Sequence, residues 1–283
     1  MVVDHRSPRN TPGWVGPTIV YLVSLTMLIL SRILSRYNTS LFFGLTIDLL
    51  VFALPIVTAS IYVKQVEKGE FWPSVGIRHI SLRRVLILSL ALYFVVFAST
   101  WTLFSTAEYL SPRLPPAARY DPRAVGEAFG DLPNIVYWYM IFTSIVYAGV
   151  GEEVIFRGFV LTRLSKRTTL SLVGSSLMWS SLHLWYLPVL GSTGIWQHIV
   201  VVLTGFTFGI SYIKIKNLIP LIIVHAVMDV FLPLSFLYPG PLLNTVAFIA
   251  LISGFVATIG ILAHQVFRGI ITRGSEGTLN PTL

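Results

Sequence analysis

Long runs of apolar residues are the feature that most limits how this chain can fold. Eight stretches of about twenty residues are almost free of charge, and a helix of that length spans the hydrocarbon core of a bilayer. Their bounds are 15–34, 41–63, 85–105, 135–157, 170–190, 196–213, 218–237 and 243–267. Only 11% of the residues are charged and the mean hydropathy is +0.77, which excludes a disordered chain and a water-soluble domain. The runs also lack the alternating polarity of β-barrel strands. We therefore predict an all-α polytopic membrane protein with about eight transmembrane helices.

The charges in the loops predict an orientation and a domain plan. With the N-terminus inside, fourteen of the twenty Lys and Arg residues fall in inner segments and five fall outside. The outer five are Arg32, Arg36, Arg113, Arg119 and Arg123. This bias predicts that both termini are cytoplasmic. The plan is a cytoplasmic tail (1–14), a single transmembrane domain (15–267) with an outside loop (106–134) and a core (135–237), and a second cytoplasmic tail (268–283). A short interfacial helix is predicted near 123–130.

The net charge and the missing cysteines exclude several classes of function. The net charge of +8 is explained by loops beside an anionic membrane surface. Since no run of Lys and Arg exceeds two residues, nucleic acid is not an expected partner. The chain has no cysteine, which removes disulfides, thiolate metal sites and cysteine nucleophiles.

Ionisable residues inside the predicted spans are candidates for function, because each costs roughly 2.5–3.5 kcal/mol to insert. These residues are Asp48, Glu152, Glu153, Arg157, His183, His198, His225, Asp229 and His264. Six of the nine lie on the fourth, fifth and seventh predicted helices. We interpret Asp48, His198 and His264 as packing or interfacial groups, with a hydroxyl or an Arg as the expected partner of Asp48.

Helix geometry separates the two glutamates. Glu153 and Arg157 lie about 40° apart and one turn along, the favourable spacing for an acid followed by a base. Glu152 is rotated by a further 100° or so and points elsewhere. We therefore expect Arg157 to neutralise Glu153 and to leave Glu152 free to act, whereas a purely structural ion pair beside a boundary acid is the plainer alternative.

Two histidines are placed to join Glu152. His183 and Glu152 each lie about 20 Å along antiparallel neighbours from the loop around 164–169, so their equal depth allows contact. His225 and Asp229 share one helix face, and this spacing suits either a self-satisfying pair or a carboxylate that orients an imidazole.

These residues suit two kinds of chemistry. A Glu with a His can deprotonate a water for attack on an amide, while a second His stabilises the oxyanion. Glu, His and His can also bind zinc, although no H-E-x-x-H motif is present. A serine nucleophile is disfavoured, because no G-x-S-x-G motif occurs.

Three short motifs resemble a known family. Glu152-Glu153-Val-Ile-Phe-Arg157 resembles the E-E-x-x-x-R motif of the CAAX prenyl endopeptidase type II and bacteriocin-processing membrane protein family. Trp179-Ser-Ser-Leu-His183 resembles its F-x-x-x-H motif, and His225-Ala-Val-Met-Asp229 its H-x-x-x-N/D motif. The three occur in the family's order and lie on predicted membrane helices.

The resemblance implies an eight-helix intramembrane endopeptidase that uses no metal and has a cavity open to the cytoplasm and the membrane. It implies that Glu152 and His183 activate water and that His225 and Asp229 form the oxyanion hole. Glu153 and Arg157 are then supporting residues. Trp179 and Phe156 are expected to line the substrate cavity.

Two residues depart from the family's pattern. Trp179 replaces the usual Phe, a mild change if this position only fills apolar space. Asp229 stands where the prenyl-protein proteases have Asn, and an ionised carboxylate would repel an oxyanion. Asp229 must therefore be protonated, or must keep His225 charged and oriented.

The leading hypothesis is a glutamate-dependent endopeptidase that removes the C-terminal tripeptide of prenylated CAAX proteins, or cleaves a related membrane-bound substrate. The alternatives are a zinc-dependent protease with the same ligands, a proton-coupled transporter and a non-catalytic membrane protein. The expected partners are membrane lipid and the lipidated or membrane-inserted substrate. The expected location is the plasma membrane of a prokaryote or the endoplasmic reticulum of a eukaryote.

Overall fold

The chain is described by a computed structural model that covers residues 12–34 and 41–276. Helices and no strands occur in those ranges. The main helices are α1 (Val15–Leu34), α2 (Leu41–Tyr62), α3 (Leu82–Leu110), α4 (Asn134–Arg163), α5 (Thr168–Ser181), α6 (Tyr186–Leu190), α7 (Ser192–Ile215), α8 (Ile219–Leu237) and α9 (Pro241–Glu276). Two short helices lie between them, at Phe71–Ser74 and Ala124–Phe129. The second confirms the short helix predicted near 123–130.

The ends of the chain fall partly outside the described residues. Most of the predicted tail 1–14 does so, as does Arg36 of the charge count. The predicted tail 268–283 begins inside a helix, because the backbone of α9 continues to Glu276. The remainder of that tail again lies beyond the described ranges.

Seven helices in the described ranges are long and apolar enough to cross a membrane. The exception is the predicted span 170–190, which is divided into α5 and α6. In the residues that connect α5 to α6, the backbone hydrogen bonds change to the i to i−3 pattern. The His183 amide, for example, donates to the Ser180 carbonyl at 2.9 Å. The Ser180 and Ser181 hydroxyls donate to carbonyls three residues back, and such bonds compete with the helical pattern. Pro188 adds a residue that cannot donate at all.

The two ends of the helix bundle are identified by the residues that lie there. Arg163, at the end of α4, pairs with Glu67 just beyond α2 at 2.7 Å, and α1 begins beside Arg163. We call this the basic end. At the opposite end, the loop 111–133 is tied to α7, because Trp196 donates to the Ala118 carbonyl at 2.9 Å. We call this the loop end. The divided segment α5–α6 also runs from one end to the other, beside the seven long helices of the described ranges.

Helix α4 lies at the centre of the bundle. Its middle section, Ser144–Val160, is a π-helix, a form that is rare and frequent at functional sites. Glycines bring its neighbours close: a Cβ on Gly149 would lie 2.8 Å from that of Ala226 on α8, and one on Gly158 would lie 2.7 Å from Val75. Small residues permit this approach in a membrane, where packing drives helix association. Both glutamates are therefore held inside protein.

Candidate active site

The residues of the three motifs meet between α4, α5 and α8. The Glu152 Oε2 atom lies 3.9 Å from His183 Nε2 and 4.0 Å from His225 Nε2. Glu152 is 4% exposed and His225 is also 4% exposed. The equal depth expected for Glu152 and His183 thus results in a close approach of their side chains. The structure brings together every residue to which a catalytic role is assigned.

Glu153, the next residue along α4, is fully buried. Its Oε1 atom lies 3.0 Å from Arg157 Nη1, which is the ion pair expected from the spacing. The same oxygen accepts a hydrogen bond from His225 Nδ1 at 2.8 Å. The carboxylate that orients His225 is therefore Glu153. The pairing expected from sequence, His225 with Asp229, is looser: Asp229 Oδ2 lies 3.7 Å from His225 Nε2.

Arg157 is the largest buried charged side chain, at 1% exposure. Neither of its terminal nitrogens has a well-aligned hydrogen-bond partner within the described ranges. Its Cζ lies 4.3 Å from the ring centre of Trp179 and 5.4 Å from that of Phe208. The guanidinium charge is balanced by Glu153 and by these two ring faces.

The two residues expected to line the cavity are instead buried beside it. Trp179 is 2% exposed and its Nε1–H donates a hydrogen bond to Glu152 Oε2. Trp179 therefore binds the Glu152 carboxylate through its N–H and the Arg157 guanidinium through its ring face. A Phe at this position could supply only the ring face. Phe156 is 1% exposed and belongs to the core, and its carbonyl accepts from the Ser175 hydroxyl at 2.7 Å. Both corrections arise because α5 packs directly on this face of α4.

His183 stands where the helix breaks. Its Nδ1 lies 3.2 Å from the Trp179 carbonyl oxygen, and since a carbonyl can only accept, Nδ1 carries the proton. In the neutral imidazole Nε2 is then unprotonated, and this nitrogen faces Glu152. A water at about 2.8 Å from both Nε2 and Oε2 is compatible with their separation. The break in the predicted fifth span thus aims His183 at Glu152.

A cavity of about 490 Å³ begins at Glu152, His183 and Asp229. Its wall on α4 carries Tyr139, Thr143, Ser144 and Tyr147 at helical spacing, and its far end is formed by Arg32, Gly44 and Asp48. We did not predict from the sequence that these α4 residues line a cavity, although their hydroxyl groups at helical spacing on an apolar helix could have indicated it. Asp48 accepts hydrogen bonds from the hydroxyls of Tyr139 and Ser31, which confirms the hydroxyl partner expected for it.

The cavity extends from Glu152 toward the loop end of the bundle. If the basic end is cytoplasmic, as the loop charges predict, the cavity points away from the cytoplasm. Cytoplasmic termini and a cytoplasmic opening of the cavity are therefore not compatible with each other in this structure. The side of the membrane that each end faces stays a prediction.

His198 and His264 lie elsewhere. His198 is partly buried on α7. His264 is exposed on α9, in a groove with Arg83, Arg84 and Lys214 at the basic end. Neither belongs to the site. The described part of the chain contains no group of three or more His, Cys, Asp or Glu residues suited to a metal ion.

Together, the fold and the site define a polytopic helical membrane protein with a buried cluster of two Glu, two His and one Arg. Residues 134–231 match the family model described as "Type II CAAX prenyl endopeptidase Rce1-like". The matched residues run from the start of α4 into α8, and they include the three motifs that resemble this family. The match supports an intramembrane endopeptidase in general terms. No curated protein and no solved structure matches the chain.

Proposed function

We propose that the protein is a glutamate-dependent intramembrane endopeptidase in which Glu152 and His183 activate a water molecule. The observation that carries this proposal is the position of Glu152 Oε2, which lies 3.9 Å from His183 Nε2 and 4.0 Å from His225 Nε2 at the wall of a cavity. A second carboxylate, Glu153, already compensates Arg157. Glu152 is therefore available as a base.

The reaction is the hydrolysis of a peptide bond. A water held by Glu152 and His183 loses a proton to Glu152 as its oxygen bonds to the peptide carbonyl carbon. The carbonyl oxygen becomes an oxyanion. When the C–N bond breaks, Glu152 returns the proton to the leaving nitrogen, so the products are a carboxylic acid and an amine. One group thus acts first as base and then as acid.

His225 is the proposed oxyanion donor. Glu153 accepts its Nδ1–H at 2.8 Å, which fixes the ring with Nε2 near Glu152 and Asp229, two residues that line the cavity. A proton on Nε2 can then be donated to the oxyanion as charge develops. Asp229 lies at the cavity wall, 3.7 Å from the same Nε2, and we assign it a secondary role beside His225.

The proposed substrate is a prenylated CAAX protein or a related membrane-bound peptide. The cavity of about 490 Å³ falls within the range of about 300–1,000 Å³ typical of ligand sites. No metal is part of this proposal.

Cleavage of defined peptides by the purified protein tests the proposal. The substrates are farnesylated, geranylgeranylated and unmodified forms of one CAAX-type peptide, and the products are identified by mass. We expect release of the C-terminal tripeptide from a lipidated form and no release by Glu152→Gln. If no peptide is cleaved by folded wild-type protein, or if Glu152→Gln retains full activity, the proposal fails.

The proposed orientation, with both termini in the cytoplasm, can be tested separately. The chain has no cysteine, so Lys68→Cys at the basic end and Arg119→Cys at the loop end give single labelling sites. An impermeant thiol reagent applied to intact cells is expected to label Arg119→Cys alone. Labelling of Lys68→Cys alone would reverse the orientation and would place the Arg32 end of the cavity on the cytoplasmic side.

A further inference from the structure

The far end of the cavity holds a cation that forms no ion pair with an acidic side chain in the described ranges. Arg32 lies in the last turn of α1, and its side chain reaches the cavity at the loop end. Its Cζ lies 5.0 Å from the ring centre of Trp185. None of the ion pairs in the described ranges includes Arg32. No acidic side chain of the described residues engages this guanidinium, which leaves its donors available to an anion.

A row of rings connects this cation to the proposed catalytic histidine. The ring centres of Trp185 and Tyr186 are 4.1 Å apart, and those of Tyr186 and His183 are 6.0 Å apart. All three residues line the cavity together with Arg32 and Glu152. The break between α5 and α6 places this row along one wall, so a ligand in the cavity contacts Arg32 and the catalytic residues along the same surface.

The spacing of the two ends suits a short peptide. Gly13 and Arg163 lie at the same level, because a Cβ on Gly13 would be 3.1 Å from the Arg163 carbonyl oxygen. Counting from that level at the α-helical rise of about 1.5 Å per residue along α1 and α4 places Arg32 at least about 12 Å beyond Glu152 along the bundle axis, because the π-helical section of α4 rises less per residue. Three extended residues span about 10 Å. The side chain of Arg32 can cover the remaining distance.

The fixed negative charge nearby is already engaged. Asp48 lies at the same end of the cavity and accepts hydrogen bonds from the hydroxyls of Tyr139 and Ser31. It opposes the entry of a second carboxylate, so its removal should strengthen any binding of an anion by Arg32. Arg offers two parallel N–H donors that match a carboxylate.

We infer that Arg32 binds the free C-terminal carboxylate of the peptide substrate and that its distance from Glu152 selects the bond three residues from the C-terminus. The inference rests on the proposed endopeptidase function and names the substrate end that the same site recognises. Arg32 lies outside the residues 134–231 that match the family model, so the match gives it no role.

Two peptides that differ in one group test this inference. The lipidated peptide that the protein cleaves is compared as its C-terminal carboxylate and as its C-terminal carboxamide. Wild-type protein is expected to prefer the carboxylate by about 10- to 100-fold in kcat/KM, as for a hydrogen bond to a charged group. Arg32→Gln should lower the rate on the carboxylate peptide to that on the amide and leave the amide rate unchanged.

Further variants separate recognition from folding. Arg32→Lys keeps the charge without the paired donors and should retain part of the preference, whereas Asp48→Asn should increase it. Arg113→Gln is the matched control, because Arg113 is also exposed and lies 4.5 Å from the ring centre of Tyr109 but outside the cavity. It should behave as wild type on both peptides.

The outcomes are distinct. Equal cleavage of both peptides by wild type, or an equal loss on both in Arg32→Gln, would overturn the role of Arg32 and leave the endopeptidase standing. If Arg32→Gln loses activity equally on both peptides, and the size of that loss changes with the anionic lipid content of the detergent micelle, Arg32 binds lipid phosphate instead. If wild-type protein cleaves neither form, the proposed function itself is wrong.

Discussion

Two neighbouring carboxylates on α4 have different surroundings. Glu153 is fully buried and its Oε1 atom is bound by both Arg157 and His225. Glu152 lines the cavity, accepts one hydrogen bond from Trp179 and lies about 4 Å from two imidazole nitrogens. The first arrangement neutralises a charge, and the second leaves room for a water. The contacts of each carboxylate with neighbouring side chains therefore determine which of the two glutamates can act as a base.

Removal of Glu152 should give the largest loss of activity. Glu152→Gln keeps the shape and the hydrogen bond from Trp179 but cannot take a proton, so kcat should fall about 100- to 10,000-fold. The thermal unfolding temperature in detergent should stay close to that of wild type. A variant with near-normal turnover would show that the reactive carboxylate lies elsewhere.

The opposite result is expected on the Glu153 side. Arg157→Met leaves Glu153 buried beside His225 without its ion pair, which should cost about 3–5 kcal/mol of folding free energy. Glu153→Gln should destabilise similarly and should also lower kcat, because His225 loses its orienting carboxylate. Yield and thermal unfolding measure the first effect, and turnover of the folded fraction measures the second. Wild-type stability for both variants would contradict the structural role of this pair.

The oxyanion side can be tested with His225 and Asp229. His225→Ala should lower kcat by about 100- to 1,000-fold, the usual cost of one oxyanion donor. Asp229→Asn should be tolerated or mildly favourable, because Glu153 already orients His225 and the amide removes a charge opposed to the oxyanion. Turnover on the lipidated peptide, beside a folding control, gives the comparison. If Asp229→Asn falls as far as Asp229→Ala, the carboxylate itself is required.

Trp179→Phe should have a smaller effect. Phe keeps an aromatic face beside Arg157 but loses the N–H that binds Glu152, so the carboxylate is less firmly held. We expect a loss of kcat of up to about 10-fold, equivalent to roughly one hydrogen bond. Trp179→Leu removes the ring as well and should lower the unfolding temperature further. A wild-type kcat in Trp179→Phe would show that the indole N–H does not contribute to catalysis.

Metal chelation should have the smallest effect of all. EDTA and phenanthroline should leave turnover unchanged, and elemental analysis should find zinc below one equivalent. The proposed mechanism assigns the proton transfers and the oxyanion contact to side chains, and Glu153 is engaged by Arg157. Stoichiometric zinc that is lost together with activity, and that restores it when added back, would favour the zinc-dependent alternative.

Spacing within one helix was predictable from the sequence, whereas contacts between helices were not. The Glu153–Arg157 pair followed from its i,i+4 spacing. The orienting partner of His225 could not be derived in this way, because Glu153 lies on another helix and the candidate in the same helix, Asp229, looked sufficient. The role of Trp179 was missed for the same reason: its N–H meets Glu152 only because α5 packs on α4.

The sequence by itself determined the all-α membrane architecture, the order of the passes and the helices that carry the ionisable groups. These depend on the length and apolar character of each segment, which are local properties. Only the tertiary structure decided where the fifth pass breaks, which glutamate is compensated by which partners, and that Arg32 on α1 shares a cavity with Glu152 on α4. These features depend on the close packing of α4 against α5 and α8, where small residues and competing hydrogen bonds determine which side chains meet.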